Sequence, residues 1–177
     1  MTAASVAVDT PAPGALADMR YYWDDLPLGL EVVTAARTIT EADVVAFAGL
    51  SGDYNRLHTD AVYAGQSKFG QRIAHGMLVG SIMSGLNTRT VLNQCLEPSI
   101  LGLLEMSYRF AKPTFVGDTI KVRILVTGRR LASDASRGVV EFERQGINQN
   151  GETVCVCSVK MLVACRAQQS NEHIAEA

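Results

Sequence analysis

With 177 residues, 47% of them hydrophobic and 19% charged, the chain is sized for one domain with its own core and is too apolar for a disordered polypeptide. A net charge of -2 with no basic run argues against nucleic acid as a partner. No window reaches the roughly 18 consecutive apolar residues of a membrane span, and the N-terminus lacks the basic and apolar regions of a secretory signal. A cytoplasmic protein with no membrane partner is expected.

Residues 1–19, rich in Ala, Pro, Thr and Gly, have no apolar period and are expected to be a disordered leader. A single domain is expected over 20–166, followed by a frayed tail over 167–177. Tyr21-Tyr22-Trp23 begins the ordered part, with Trp23 expected to pack a sheet end. Gly29 to Ile39 is β-branched and partly alternating, which predicts a strand. Thr40 with Asp43 forms a near capping box, opening a helix that ends near Gly52. A short helix is predicted from Asp60 to Gln66. Gly76 to Leu92 is the longest helical pattern, apolar nearly all round and therefore buried, with small residues at Gly80, Ser81, Ser84 and Gly85.

After Pro98 the pattern changes to strands: Ile100 to Ala111, Thr119 to Leu131, Arg137 to Asn148 and Glu152 to Cys165. The last two are expected to pair across Asn148-Gln149-Asn150-Gly151, where Asn-Gly supplies the positive φ of a hairpin turn. One strand, then helices, then sequential strands give an α+β fold, an antiparallel sheet with a long buried helix. Cys155 and Cys157 share one strand face and lack metal-site spacing, so they read as small buried side chains and no metal is expected.

The chemistry-bearing stretch is Ser51-Gly52-Asp53-Tyr54-Asn55-Arg56-Leu57-His58-Thr59-Asp60. Asp53 and His58 are close enough in sequence to sit on one turn and aim at one point. Downstream, Ala74-His75-Gly76 stands at the start of the long helix, where unpaired N–H groups favour negative charge. An acid/base pair beside such a terminus can move a proton and stabilise an oxyanion. The same residues also suit a plain turn: Asp after Gly and Asn55 are common turn formers, and His75 suits packing. Spacing alone leaves both readings open. Arg56 and Lys68 would either attract an anionic group or be solvated.

Three stretches in order resemble the MaoC-like hydratases, the (R)-specific enoyl-CoA hydratases of the hot-dog fold. They are Gly52 to Asp60, Arg72-Ile73-Ala74-His75-Gly76-Met77-Leu78, and Phe110-Ala111-Lys112-Pro113-Thr114-Phe115-Val116-Gly117-Asp118. The resemblance runs from about Trp23 to Val163. It implies that Asp53 and His58 hold the catalytic water and that Asn55 shapes their loop. Gly76 would bind the thioester oxygen through its N–H, with His75 beside it and Ser84 a polar residue on the central helix. The implied reaction is reversible hydration of a trans-2-enoyl-CoA to the (R)-3-hydroxyacyl-CoA, with no cofactor. The resembled fold pairs its subunits edge to edge, so a homodimer or higher homo-oligomer is expected. One departure is visible: the family usually has Pro after the Asn, where this chain has Arg56, so a looser loop or one shaped for a different acyl group is expected.

Two rival functions remain at this stage. An acyl-CoA thioesterase on the same fold would carry a carboxylate on the central helix, and residues 76–92 contain no Asp or Glu. A non-catalytic acyl-CoA-binding subunit would be expected to have lost Asp53 or His58, and both are present.

Overall fold

The computed structural model describes residues 19–166. The expected leader, apart from Met19, and the expected tail lie outside the described residues. The architecture is α+β: strands β1 (Glu31–Val33), β2 (Arg37–Thr38), β3 (Ile100–Phe110), β4 (Thr119–Leu131), β5 (Arg137–Ile147) and β6 (Thr153–Ala164), with helices α1 (Glu41–Ser51), α2 (Arg56–Thr59), α3 (Ala61–Gly65), α4 (Gly76–Thr88) and α5 (Val91–Leu96). The sheet runs β1-β4-β5-β6-β3, all pairs antiparallel, with β2 pairing β4 beside β1.

Local chemistry sets most boundaries. Thr40 accepts from the Asp43 N–H while Asp43 accepts from the Thr40 N–H, a complete capping box that starts α1. Gly52 ends it in the left-handed conformation at φ 72°. Asp60 caps α3 through the Tyr63 N–H. The turn between β5 and β6 places Gly151 at φ 76°, the positive value that Asn-Gly predicts.

Two elements are shorter than the sequence predicts. The strand expected over 29–39 is broken between β1 and β2. The Thr34 hydroxyl accepts from the Val122 N–H at 2.9 Å, so a side chain takes over one rung of the ladder. The helix expected over 76–92 stops at Thr88. Thr90 donates to the Asn87 carbonyl and accepts from the Asn93 N–H, capping a separate helix α5.

α4 lies across the inner face of the sheet. Leu78, Val79, Ile82, Met83 and Leu86 pack against Ile120, Val122, Ile124 and Val126 of β4, Val140 and Phe142 of β5, and Cys155, Cys157 and Val159 of β6. Burying each large side chain contributes about 1.5–3 kcal/mol. That outweighs the roughly 1 kcal/mol that each helical glycine costs relative to alanine. The glycines have a use. Cβ atoms at Gly76 and Gly80 would stand 3.0 Å from the Phe110 ring and 2.8 Å from the Tyr108 ring, so their absence lets two aromatic residues of β3 close on the helix. Cys155 and Cys157 are buried, free thiols, and burial lifts the Cys155 thiol to about 11. Trp23 donates to the Val139 carbonyl at 3.2 Å and closes a sheet end, as expected.

Gly80 provides a stability test with opposing terms. Ala is the better helix former by about 1 kcal/mol, but its Cβ overpacks Tyr108, which typically costs about 1–3 kcal/mol. Gly80→Ala is expected to lower stability in denaturant melts, and Tyr108→Leu in the same chain to recover part of the loss. A stabilised Gly80→Ala protein would show that the contact yields.

Candidate active site

The loop after α1 is exposed from Ser51 to Arg56, yet it is tied down. The Asn55 side chain accepts from the Leu57 N–H at 3.0 Å and starts α2, and its own N–H donates to the Asp53 carboxylate at 3.2 Å. α2 then presents His58 towards residues 73–75. The Ile73 N–H donates to the Leu57 carbonyl at 3.1 Å. That stretch is itself held by the β3–β4 connection, through an Ile73–Phe115 bridge and an Ala74 N–H to Thr114 carbonyl bond of 2.7 Å.

Backbone carbonyls assign both imidazoles. His58 Nδ1 lies 2.8 Å from the Ile73 carbonyl, which only accepts, so the neutral ring carries its proton there and keeps a lone pair on Nε2. His75 Nε2 lies 2.9 Å from the Asp53 carbonyl and donates to it. The two rings lie against each other, tilted by 31°, with centroids 3.9 Å apart. His75 is buried, its Nδ1 has no hydrogen-bond partner among the described residues, and it does not line the adjoining cavity. It holds the main chain of Asp53 in place and backs His58. A ligand at the helix start would meet Gly76 instead.

The Asp53 carboxylate and the two imidazoles offer ligand atoms that all lie within 4.8 Å of one another. A zinc ion bound at about 2.0–2.2 Å requires donors that converge. Here the two rings are tilted by 31° to each other, and one nitrogen of each is bonded to a backbone carbonyl.

A cavity of about 400 Å³ opens beside His58, lined also by Phe69, Gly76, Val79, Phe110 and Val154. Gly76 is the first residue of α4, and its N–H belongs to the first turn, which has no intrahelical acceptor. Lys68 and Lys112 also line the cavity, the latter paired with Glu152 at 2.6 Å. Ser84, two turns further along α4, is half-buried and does not line it. Phe110 and Lys112 were not singled out from sequence as site residues. The strand ending there was legible, but not which helix it would meet.

Residues 27–146 match the MaoC like domain. The chain belongs to the MaoC-like domain family. Protein MaoC of Klebsiella aerogenes is 38% identical over 105 residues, covering 59% of this chain but only 30% of that protein. The (R)-specific enoyl-CoA hydratase of Rhodospirillum rubrum is 38% identical over 109 residues, covering 61% of this chain and 71% of that one. A solved structure of a monoamine oxidase regulatory protein from Archaeoglobus fulgius superposes with a TM-score of 0.79 at 32% identity, over 84% of this chain and 97% of that one. The sheet wrapped on its central helix is the hot-dog fold. Among the described residues no helix is long and apolar enough to cross a membrane.

Against the MaoC-like pattern Arg56 is the departure, and it is anchored. It pairs with Asp60 at 2.9 Å, one helical turn on, and its guanidinium carbon lies 4.2 Å from the Tyr63 ring centroid. The Tyr63 backbone bond and then Arg56 hold the Asp60 carboxyl below its usual range. Asn55 already has φ -54° and ψ 134°, the extended shape required before proline, and Arg56 is the first helical residue, where proline is favoured. Arg56→Pro is therefore expected to change stability by no more than about 1 kcal/mol in denaturant melts, the entropic gain offsetting an exposed ion pair. A loss of several kcal/mol would show that the arginine contacts hold the loop.

Proposed function

We propose that the chain is a hydro-lyase that reversibly adds water to a trans-2-enoyl-CoA thioester and forms the (R)-3-hydroxyacyl-CoA. The observation that carries this reading is His58 at the cavity wall, its Nε2 lone pair free, within 4.8 Å of the Asp53 carboxylate. Two acceptors so close can hold both protons of one water and leave its oxygen lone pair free to attack. The kinship to proteins named as (R)-specific enoyl-CoA hydratases supports the same reading.

The substrate carbonyl oxygen is taken to the Gly76 N–H, with the double bond beside the water. The water oxygen bonds to C3, and the π electrons shift through C2 to the thioester oxygen. The first turn of α4 stabilises this enolate where its charge develops, with the helix dipole adding to the effect. The attacking water releases one proton to the Asp53–His58 pair, and the pair delivers a proton to C2. Water's OH ends on C3 and its H on C2. Asn55 and His75 fix the position of Asp53, so the geometry is set before the substrate arrives. Lys68 and Lys112 at the cavity supply charge that suits the phosphates of CoA.

A second copy of the chain belongs to this reading. Among the described residues β3 is a sheet edge that pairs only with β6, and Leu101, Leu103 and Leu104 along it are each more than half exposed. An unpaired edge of 11 residues is a template for pairing with another chain. Antiparallel pairing of β3 with its counterpart would satisfy it about a two-fold axis.

Asp53→Asn keeps the shape of the side chain and removes the base, and His58→Ala removes its partner. Each is expected to lower hydration of a short enoyl-CoA, followed by loss of enone absorbance, by about a hundredfold or more with the melting temperature little changed. The double variant is expected to be little worse than the worse single one, because the pair acts on one water. A stable Asp53→Asn protein that hydrates at the wild-type rate would end this reading. Sedimentation is expected to give at least a dimer, and a fully active monomer at micromolar concentration would overturn the pairing along β3.

A further inference from the structure

One polar group at the cavity wall takes no part in this chemistry. Thr114, in the connection between β3 and β4, is only 4% exposed, although Lys112 and Pro113 before it are on the surface. Its main chain is used by the fold: the carbonyl accepts from the Ala74 N–H, and the next residue, Phe115, bridges to Ile73. Lys112 pairs with Glu152 and the Phe115 N–H with Asp118, but the Thr114 hydroxyl has no hydrogen-bond partner among the described residues. Nor is it shut in. The side-chain atoms closed off without a partner among the described residues are His75 Nδ1 and Arg144 Nε, the latter in β5, whereas Thr114 lines the cavity. A hydroxyl withdrawn from bulk water with nothing to bond is costly to keep, so the wall calls for a group that completes it.

Its position says which group. The Ile73–Phe115 bridge is antiparallel, and the alternation of side chains puts Ala74 and Thr114 on one side of it, where both line the cavity. Gly76 follows Ala74 by two residues, and Lys112 precedes Thr114 by two. Through the Ala74–Thr114 bond, Thr114 therefore comes between the first N–H of α4 and the lysine. The other polar side chains of the cavity have tasks in the proposed reaction, His58 at the water and Lys68 and Lys112 at the phosphates. The arm of CoA that joins thioester to phosphates is neutral, and the first polar group along it is an amide. Its nitrogen is three bonds from the sulfur, about 4 Å, as consecutive Cα atoms are. Two residues of extended backbone span about 7 Å. A thioester whose oxygen lies at the Gly76 N–H thus carries its amide to the neighbourhood of Thr114.

Resting on the hydratase reading, we propose that the Thr114 hydroxyl binds the amide next to the thioester sulfur, so that the site selects thioesters of a cysteamine amide over other enoyl thioesters. A hydroxyl both donates and accepts, and a secondary amide offers one group of each kind. The reacting carbons are then held through two points, the carbonyl at the Gly76 N–H and the amide beyond the sulfur. An apolar arm of the same length leaves the hydroxyl unpaired, which is how a buried polar group rejects a ligand that lacks its partner. The amide is remote from the carbons that react, so the bond is the same in ground and transition states and acts on KM.

The test compares two crotonyl thioesters with arms of equal length, S-crotonyl-N-acetylcysteamine and S-pentyl thiocrotonate, on the full chain and on its Thr114→Val and Thr114→Ser variants. The apolar arm gains from burial in all three proteins, so the readout is the ratio of the two kcat/KM values. From wild type to Thr114→Val the ratio of amide to pentyl thioester is expected to fall about tenfold, through KM with kcat little changed, and in Thr114→Ser to return most of the way. An equal ratio in wild type and Thr114→Val would mean that the hydroxyl holds only water and would overturn the proposal. Chemical-shift titration with the saturated pair, S-butanoyl-N-acetylcysteamine and S-pentyl thiobutanoate, reads the contact without any turnover. An amide preference in binding that Thr114→Val abolishes, in a protein that hydrates neither crotonyl thioester, keeps the contact and overturns the hydratase reading. Hydration of both thioesters at a ratio indifferent to residue 114 does the reverse. Unliganded Thr114→Val is expected to melt no lower than the wild type, because the hydroxyl removed has no partner inside the protein. A lower melting temperature would reveal such a partner and count against the proposal.

Discussion

Three hydrogen bonds between the loop at 53–58 and the stretch at 73–75 fix the rest of the site: Ile73 N–H to the Leu57 carbonyl, His58 Nδ1 to the Ile73 carbonyl, and His75 Nε2 to the Asp53 carbonyl. Each ends on a backbone carbonyl, so the side chains of Asp53 and Ile73 are left free for other work. The same bonds choose the tautomers. His58 is left with a lone pair on Nε2, and His75 is left as a buried prop. Each such bond contributes only about 0.5–1.5 kcal/mol, but the loop is otherwise exposed and has little apolar burial to hold it.

The second constraint is the approach of α4 to β3. Gly76 and Gly80 let the Phe110 and Tyr108 rings lie against the helix, and Phe110 and Gly76 both line the cavity. The first N–H of α4, the proposed oxyanion donor, and the cavity wall are thus set by one contact. Widening the helix at either glycine moves both.

What was legible in the sequence was local. The box at Thr40 and Asp43, the stop at Gly52 and the Asn-Gly turn each depend on residues a few positions apart, and all appear where expected. The nearness of Asp53 and His58 followed from spacing in the same way. The break at Thr34 did not, because its hydroxyl answers an N–H of a strand almost ninety residues away. His75 was read as part of the substrate site, and its buried place depends on the Asp53 carbonyl, a partner 22 residues upstream that no pattern announces. Arg144 stands between Glu143 and Gln145 in what reads as a polar stretch of strand. Only the pleat, which alternates faces, turns it under α4.

The groups assigned to the reacting end all come from one short span, Asp53 to Gly76, whereas Phe110 and Tyr108 stand on the sheet. In the proposed reaction the acyl group would thus meet two layers, which close on each other where Gly76 and Gly80 admit Phe110 and Tyr108. Descendants of this chain can exchange side chains on β3 and copy the loop unaltered. If the chain is the hydratase proposed, acyl preference is the trait free to drift first in such a lineage, and the manner of adding water the last to be rewritten.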